Sequence, residues 1–155
     1  MQIYLLACGK QMPSWVSEGC DTFVKRLAPH HKTHLIEVAS TKRLKHTLPQ
    51  QAMAQEAQRI IQALPKSAHV IALDAAGKRY ASETFAAHYA QWRELGRDMC
   101  FVVGGPDGLA PEILQLAAEK LSLSTLTLPH PLVRIVLLEQ LYRAVTIYQG
   151  HPYHR

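Results

Sequence analysis

The stretch of this 155-residue chain best equipped for chemistry is its last six residues, Gly150-His151-Pro152-Tyr153-His154-Arg155. An incidental C-terminus usually carries small polar residues. This one ends in two imidazoles, a phenol and a guanidinium, which can stack on a base, contact phosphate or move a proton near neutral pH. An incidental tail, or metal capture by His151 and His154, are the competing uses. Upstream, Glu139 and Arg143 stand four apart. That spacing commonly makes a solvent ion pair worth about 0.2–0.5 kcal/mol. On a helix that is otherwise apolar, it lines a site or an interface. His130, between Pro129 and Pro131, reads as a turn residue. The loop Gly104-Gly105-Pro106-Asp107-Gly108-Leu109 lets a ligand approach the backbone, and equally serves a tight strand-to-helix turn.

Other patterns are absent. The glycine loop is not GxGxxG and no GK[ST] follows it, so neither a dinucleotide fingerprint nor a P-loop is present, and a cofactor without phosphates fits better. The three cysteines, Cys8, Cys20 and Cys100, include no CxxC pair, so no disulfide framework or zinc site is expected, and Cys8 and Cys100 read as core residues. Apolar residues make up 48% of the chain, too many for a disordered one. No apolar run approaches the roughly 20 residues of a membrane span. With no signal-like start, the expected location is the cytoplasm. The net charge of +5 is concentrated at one end: residues 1–46 hold seven Lys or Arg against three acids, with four histidines among them. A basic face of this kind attracts phosphate backbones, or is simply solvated.

These groups need elements to place them, and the period of the apolar residues supplies the expectation. Gln2–Cys8, His34–Ala39, His69–Asp74 and Asp98–Val103 read as strands. The alternating Ser and Thr of the apolar run from Leu121 read as a fifth. Helices are expected from Ser14 to about Leu27, from Gln50 to Leu64, from Ser82 to Leu95, from Pro111 to about Lys120 and from Leu132 to Tyr148. TKRLKHTLPQ, rich in bases and without a period, reads as a mobile loop. Five alternations predict one α/β domain, residues 1–155, with a mostly parallel sheet and ligands beyond the carboxyl ends of its strands. The last helix is apolar on two stripes: Val133, Val136, Leu137, Leu141 and Ala144 follow one, Ile135, Leu138 and Tyr142 the other. One core is not expected to cover both, which predicts a partner subunit.

The tail HPYHR, the segment LSLSTLTLPHPLVRIVLLEQLYRA, the loop FVVGGPDGL, the strand end LDAAGK and the opening LLACGK together resemble the RlmH family, bacterial ribosomal large-subunit methyltransferases of the SPOUT class. The resemblance runs the whole length except residues 40–58. It implies an α/β fold with flanking helices and a C-terminal trefoil knot, a homodimer and S-adenosylmethionine as methyl donor. The implied reaction is methylation of N3 of a pseudouridine in 23S rRNA of the assembled ribosome, with no metal and no membrane. By position it implies cofactor contacts at Leu73, Gly104, Leu123, Ser124, Thr125, Leu126, Thr127 and Leu128, and catalytic or RNA-contacting roles for Arg143, Tyr153 and His154. Two rivals stay open: a non-catalytic ribosome- or RNA-binding module, which would bind no S-adenosylmethionine, and a nucleotide-dependent oxidoreductase or phosphotransferase, which an NAD or ATP resin would retain.

Overall fold

Strands and helices alternate along the chain as the apolar periods require. The computed structural model describes residues 1–155. The elements are β1 (Ile3–Cys8), α1 (Ser14–Leu27), β2 (Thr33–Val38), α2 (Pro49–Ala63), β3 (His69–Lys78), α3 (Ser82–Glu94), β4 (Met99–Val103), α4 (Pro111–Leu116), β5 (Glu119–Leu121), α5 (His130–Tyr148) and a 3₁₀ turn at Pro152–His154. Prolines in the first turns of α2, α4 and α5 set the backbone at positions whose N–H would be unbonded in any case.

The sheet runs β2-β1-β4-β3-β5, and every strand pairing is parallel. All five residues of β4 are buried, as its position between β1 and β3 demands. Ile3, Leu5, Ile71 and Phe101 face one layer with α1, α3 and α5. Leu6, Cys8, Cys100 and Val102 face the other, with α2 and α4. Cys8 and Cys100 fill core volume, as expected, and Cys20 is buried as well.

Expectations about two stretches of the last third are corrected. The fifth strand is Glu119–Leu121, not the run that follows, and α4 stops at Leu116 rather than Lys120. Beyond Leu121 the hydroxyls turn the chain. Ser122 Oγ donates to the Ser124 carbonyl at 3.0 Å, and Ser124 Oγ accepts the Leu126 N–H at 2.9 Å, in competition with a ladder. The neighbouring strand also gives out: β3 diverts after Leu73 and returns at Lys78, so both residues register on Leu121. Gly77 permits that return, since a Cβ there would lie 2.6 Å from the Leu121 carbonyl carbon.

The second correction concerns α5, which packs against both α1 and α3. Leu137, Leu138, Leu141, Ala144 and Val145 are therefore buried within one chain, and both stripes are largely covered without a partner. What stays half-covered is the beginning of the helix, with Val133, Ile135 and Val136 partly buried and Leu132 exposed. The helix also begins earlier than expected. His130 is its first residue, because Pro129 caps it and accepts the N–H groups of Leu132 and Val133 at 3.0 and 3.2 Å.

His31 is buried, with Nδ1 3.1 Å from the Met1 carbonyl oxygen and Nε2 2.6 Å from the Tyr89 hydroxyl. A carbonyl only accepts, so Nδ1 carries the proton and Nε2 accepts from the phenol. Burial holds the His31 imidazole below its ordinary value and pushes the Tyr89 phenol up to about 12. The unfolded chain therefore binds a proton at His31 more readily than the native one. The stability this gives is present above the ordinary histidine value of about 6.5 and is lost as pH falls through the lowered native one. Melting temperature should fall on that acid limb, and His31→Gln should flatten it. An unchanged limb in the variant would assign the acid sensitivity to other groups.

Candidate active site

Three adjacent strand ends converge. Leu73 on β3 registers against Val103 on one side and Leu121 on the other, so Leu73, Gly104 and the loop from Ser122 stand side by side at the carboxyl edge. In that loop Thr125, Leu126 and Thr127 are exposed, with Leu126 75% accessible, while Leu123, Ser124 and Leu128 are half-buried. The N–H groups of Thr125, Thr127 and Leu128 bond to nothing within the chain. A cavity of about 250 Å³ opens beside Leu123, walled by Phe85, Leu121 and Val136, with Tyr80, Ser122 and Gln140 as polar members. Unspent backbone amides beside apolar walls, without a lysine clamp, suit an adenosine that carries no phosphate.

Gly104 serves its own loop. A Cβ there would lie 2.5 Å from the Gly108 carbonyl carbon and 2.9 Å from the Leu109 nitrogen, a backbone contact that cannot give way. Gly104→Val should therefore open the loop, lowering cofactor affinity and melting temperature together. A folded variant with unaltered affinity in calorimetry would place the cofactor elsewhere.

The tail residues come together on α5. Gly150, at φ +70°, ends the helix, and the His151 N–H returns to the Thr146 carbonyl at 2.8 Å, which turns the chain back along it. Tyr153 then packs edge-on to Tyr142, with ring centroids 4.7 Å apart. Arg143 lies 5.2 Å from the centre of the Tyr153 ring, and its Nε and Nη2 reach Glu139 Oε1 at 3.0 and 2.6 Å. The i,i+4 pair is thus formed and sits beneath the tail. Burial, and then the Glu139 carboxylate, raise the Tyr153 phenol, so it remains an O–H donor. His154 Nδ1 lies 2.8 Å from the His151 carbonyl oxygen, which only accepts, so Nδ1 carries the proton and Nε2 keeps a free lone pair.

Two residues were not picked out in the sequence. Arg26, on α1, stands 5.7 Å from the centres of both the Tyr142 and Tyr153 rings and 5.5 Å from that of Phe23. Arg134 is only 4% exposed and ties α5 to the end of β1, donating from Nη2 to the Cys8 and Gly9 carbonyls at 3.2 and 2.8 Å and from Nη1 to Glu37 at 2.7 Å. A basic residue one helical turn beyond the expected Pro129-His130-Pro131 turn was the only signal for Arg134. Arg26 gave none.

A family model described as predicted SPOUT methyltransferase matches residues 1–154. The chain belongs to the SPOUT methyltransferase family. Ribosomal RNA large subunit methyltransferase H of Stenotrophomonas maltophilia (strain R551-3) is 46% identical over 155 residues, covering 100% of this chain and 99% of the relative. The protein of that name from Hahella chejuensis (strain KCTC 2396) is 45% identical, with coverage of 100% and 99%. Among solved structures, a probable methylase family protein from Haemophilus influenzae Rd KW20 overlaps at a TM-score of 0.59 with 13% identity, covering 99% of this chain and 70% of that one. The tRNA (m1G37) methyltransferase from Aquifex aeolicus overlaps at 0.57 with 11% identity, covering 92% and 70%. At such identities the structures carry the fold alone, and they agree with the α/β expectation. The SPOUT family implies the C-terminal trefoil knot, and S-adenosylmethionine is its methyl donor. No helix of this SPOUT chain is long and apolar enough to cross a membrane.

Proposed function

We propose that the chain methylates N3 of a pseudouridine in 23S rRNA of the assembled ribosome, in the cytoplasm, as a homodimer that uses S-adenosylmethionine and no metal. The observation that carries the cofactor side is the convergence of Leu73, Gly104 and the loop Leu123 to Leu128, in which the amides of Thr125, Thr127 and Leu128 are unspent. The names borne by full-length relatives at about 45% identity support the RNA side. The half-covered first turns of α5 support a partner there.

The bound cofactor supplies an electrophilic methyl on sulfonium, transferred by in-line displacement. The chain's own work is then positioning and disposal of one proton. The backbone of residues 123–128 would hold adenosine, with Leu73 and Gly104 beside it. An imide nitrogen is a poor nucleophile until deprotonated, and His154 Nε2, free of any partner, takes the proton. Arg143 has Nε and Nη2 on Glu139 and its Nη1 uncommitted, and that nitrogen would be the donor left for the developing imide anion. Tyr153, kept protonated, stacks and donates rather than acting as base.

The test is transfer of labelled methyl from S-adenosylmethionine to ribosomes that contain or lack the pseudouridine. Label should enter only the former, and free 23S rRNA should be a poorer substrate. Equal labelling of both ribosomes would refute the pseudouridine assignment. Absence of cofactor binding in calorimetry would favour the non-catalytic module.

A further inference from the structure

Charge patterning groups Arg43 with Lys42 and Lys45 as a basic loop open to phosphate. The side chains divide otherwise. Lys42, Lys45 and His46 are exposed, whereas Arg43 turns inward. Its Nη1 donates to the Thr41 carbonyl at 2.7 Å and to Glu56 Oε1, and its Nη2 to Glu56 Oε2 at 3.2 Å. Its Nε reaches Asp107 Oδ2 at 3.0 Å, and Nη2 lies 3.0 Å from the same oxygen. Those contacts occupy all three guanidinium nitrogens.

Glu56, on α2, is 2% exposed and also accepts the Thr41 N–H at 2.8 Å. A Cβ on Gly105 would lie 3.2 Å from Glu56 Oε2 and 3.5 Å from Cys8 Sγ, so the carboxylate lies directly beneath the glycine loop. Burial, and then Glu56, push the Cys8 thiol up to about 11, so that neighbour stays neutral and leaves Arg43 as the counter-charge. A buried carboxylate needs such a partner, which fixes the guanidinium in place. The guanidinium in turn presents its Nε edge to Asp107, within the turn between Gly104 and Gly108.

We infer that Arg43, held by Glu56, is a positioning residue for the glycine loop through Asp107, and that it acts on cofactor affinity rather than on RNA binding. This rests on the reading of the glycine loop as one wall of the cofactor site. A loop already held in its bound shape loses less freedom when the ligand arrives. Lys42 and Lys45 are left as the phosphate-facing charges of the same loop.

The experiment sets variants of the Arg43–Asp107 contact against variants of the two lysines in two measurements. Asp107→Ala should weaken S-adenosylmethionine binding in calorimetry by about 3–10-fold, the range expected when one ordering contact is removed. It should leave the salt dependence of ribosome binding at its wild-type slope. Lys42→Glu with Lys45→Glu should flatten that slope and leave cofactor affinity unchanged. Arg43→Ala strands the Glu56 carboxylate, so it is combined with Glu56→Gln to keep the chain folded. That pair should reproduce the Asp107→Ala phenotype, and Arg43→Lys, which keeps the charge but not the fork, should recover it only in part.

Wild-type cofactor affinity in Asp107→Ala overturns the inference, as does a salt slope that Arg43 flattens in the manner of the lysines. Leu123→Trp, which fills the cavity beside the cofactor loop, separates the levels. If it too binds the cofactor normally, the site reading fails. If it binds poorly while Asp107→Ala does not, only the role of Arg43 fails.

Discussion

Deletion of Pro152 to Arg155 should leave a folded chain that binds S-adenosylmethionine and transfers methyl about 10²–10⁴ times more slowly, the range for loss of one positioned acid–base group. Little apolar area goes with the deletion, since Tyr153 is the only bulky side chain and is half-buried. The geometry ranks the single variants. His154→Ala removes the one free imidazole lone pair of the turn, since His151 Nδ1 already accepts the Tyr153 N–H, and should account for most of the loss. Tyr153→Phe keeps the ring against Tyr142, Arg143 and Arg26 and gives up only a hydroxyl 3.4 Å from Glu139, so its effect should be small. Tyr153→Ala should fall between, because Arg143 loses its cover. Single-turnover transfer at saturating ribosome and cofactor is the measurement, since a lost RNA contact alone would appear in KM and recover at saturation. A truncated chain working at the full rate would end the tail's chemical role and return the search for the base to His130 and Glu139.

Arg134→Ala should cost about 3–5 kcal/mol of stability, as expected when one member of a buried charged network is removed. The Cys8 and Gly9 carbonyls lose their donor, and a void opens between α5 and the end of β1. For a chain of this size that is a fall of roughly 10 °C in melting temperature. Glu37 is itself 39% exposed and can rehydrate, which places the cost on the arginine side. Arg134→Met, which restores volume but not the donors, should recover part of the loss. Urea denaturation decides the matter, and an alanine variant within about 1 kcal/mol of wild type would show that the clamp carries no stability.

What was legible depended on how local the cause was. The continuous apolar run of β4 and the prolines opening α4 and α5 state their structure within a few residues. The tail could be singled out by residue type alone. The run after Leu121 misled because Ser and Thr at alternate positions match a strand's period, while their hydroxyls were engaged in turning the chain. The pairing of Arg43 with Asp107 spans 64 residues, and Arg26 meets Tyr153 across the molecule, so neither leaves a local pattern. The stripes of α5 were seen correctly, but α1 and α3 cover most of them, and periodicity does not say which neighbour does the covering. Gly19 shows how close that cover is: a Cβ there would lie 2.7 Å from Ile135 Cδ1.

The short β5 and the charged β2 bear on how copies of this chain can meet. Both are edge strands, and an open edge offers unpaired N–H and C=O groups to any other strand. On one side the edge is only three residues long, begins at Glu119 bound to His69, His88 and Trp92, and borders the stretch where β3 swings out and back. On the other, β2 carries Glu37, held by Arg134. Neither edge is both long and free of charge, which disfavours growth of the sheet by strand addition. Two copies that associate are then expected to do so through their helices, and the early turns of α5 offer a seam that does not extend the sheet.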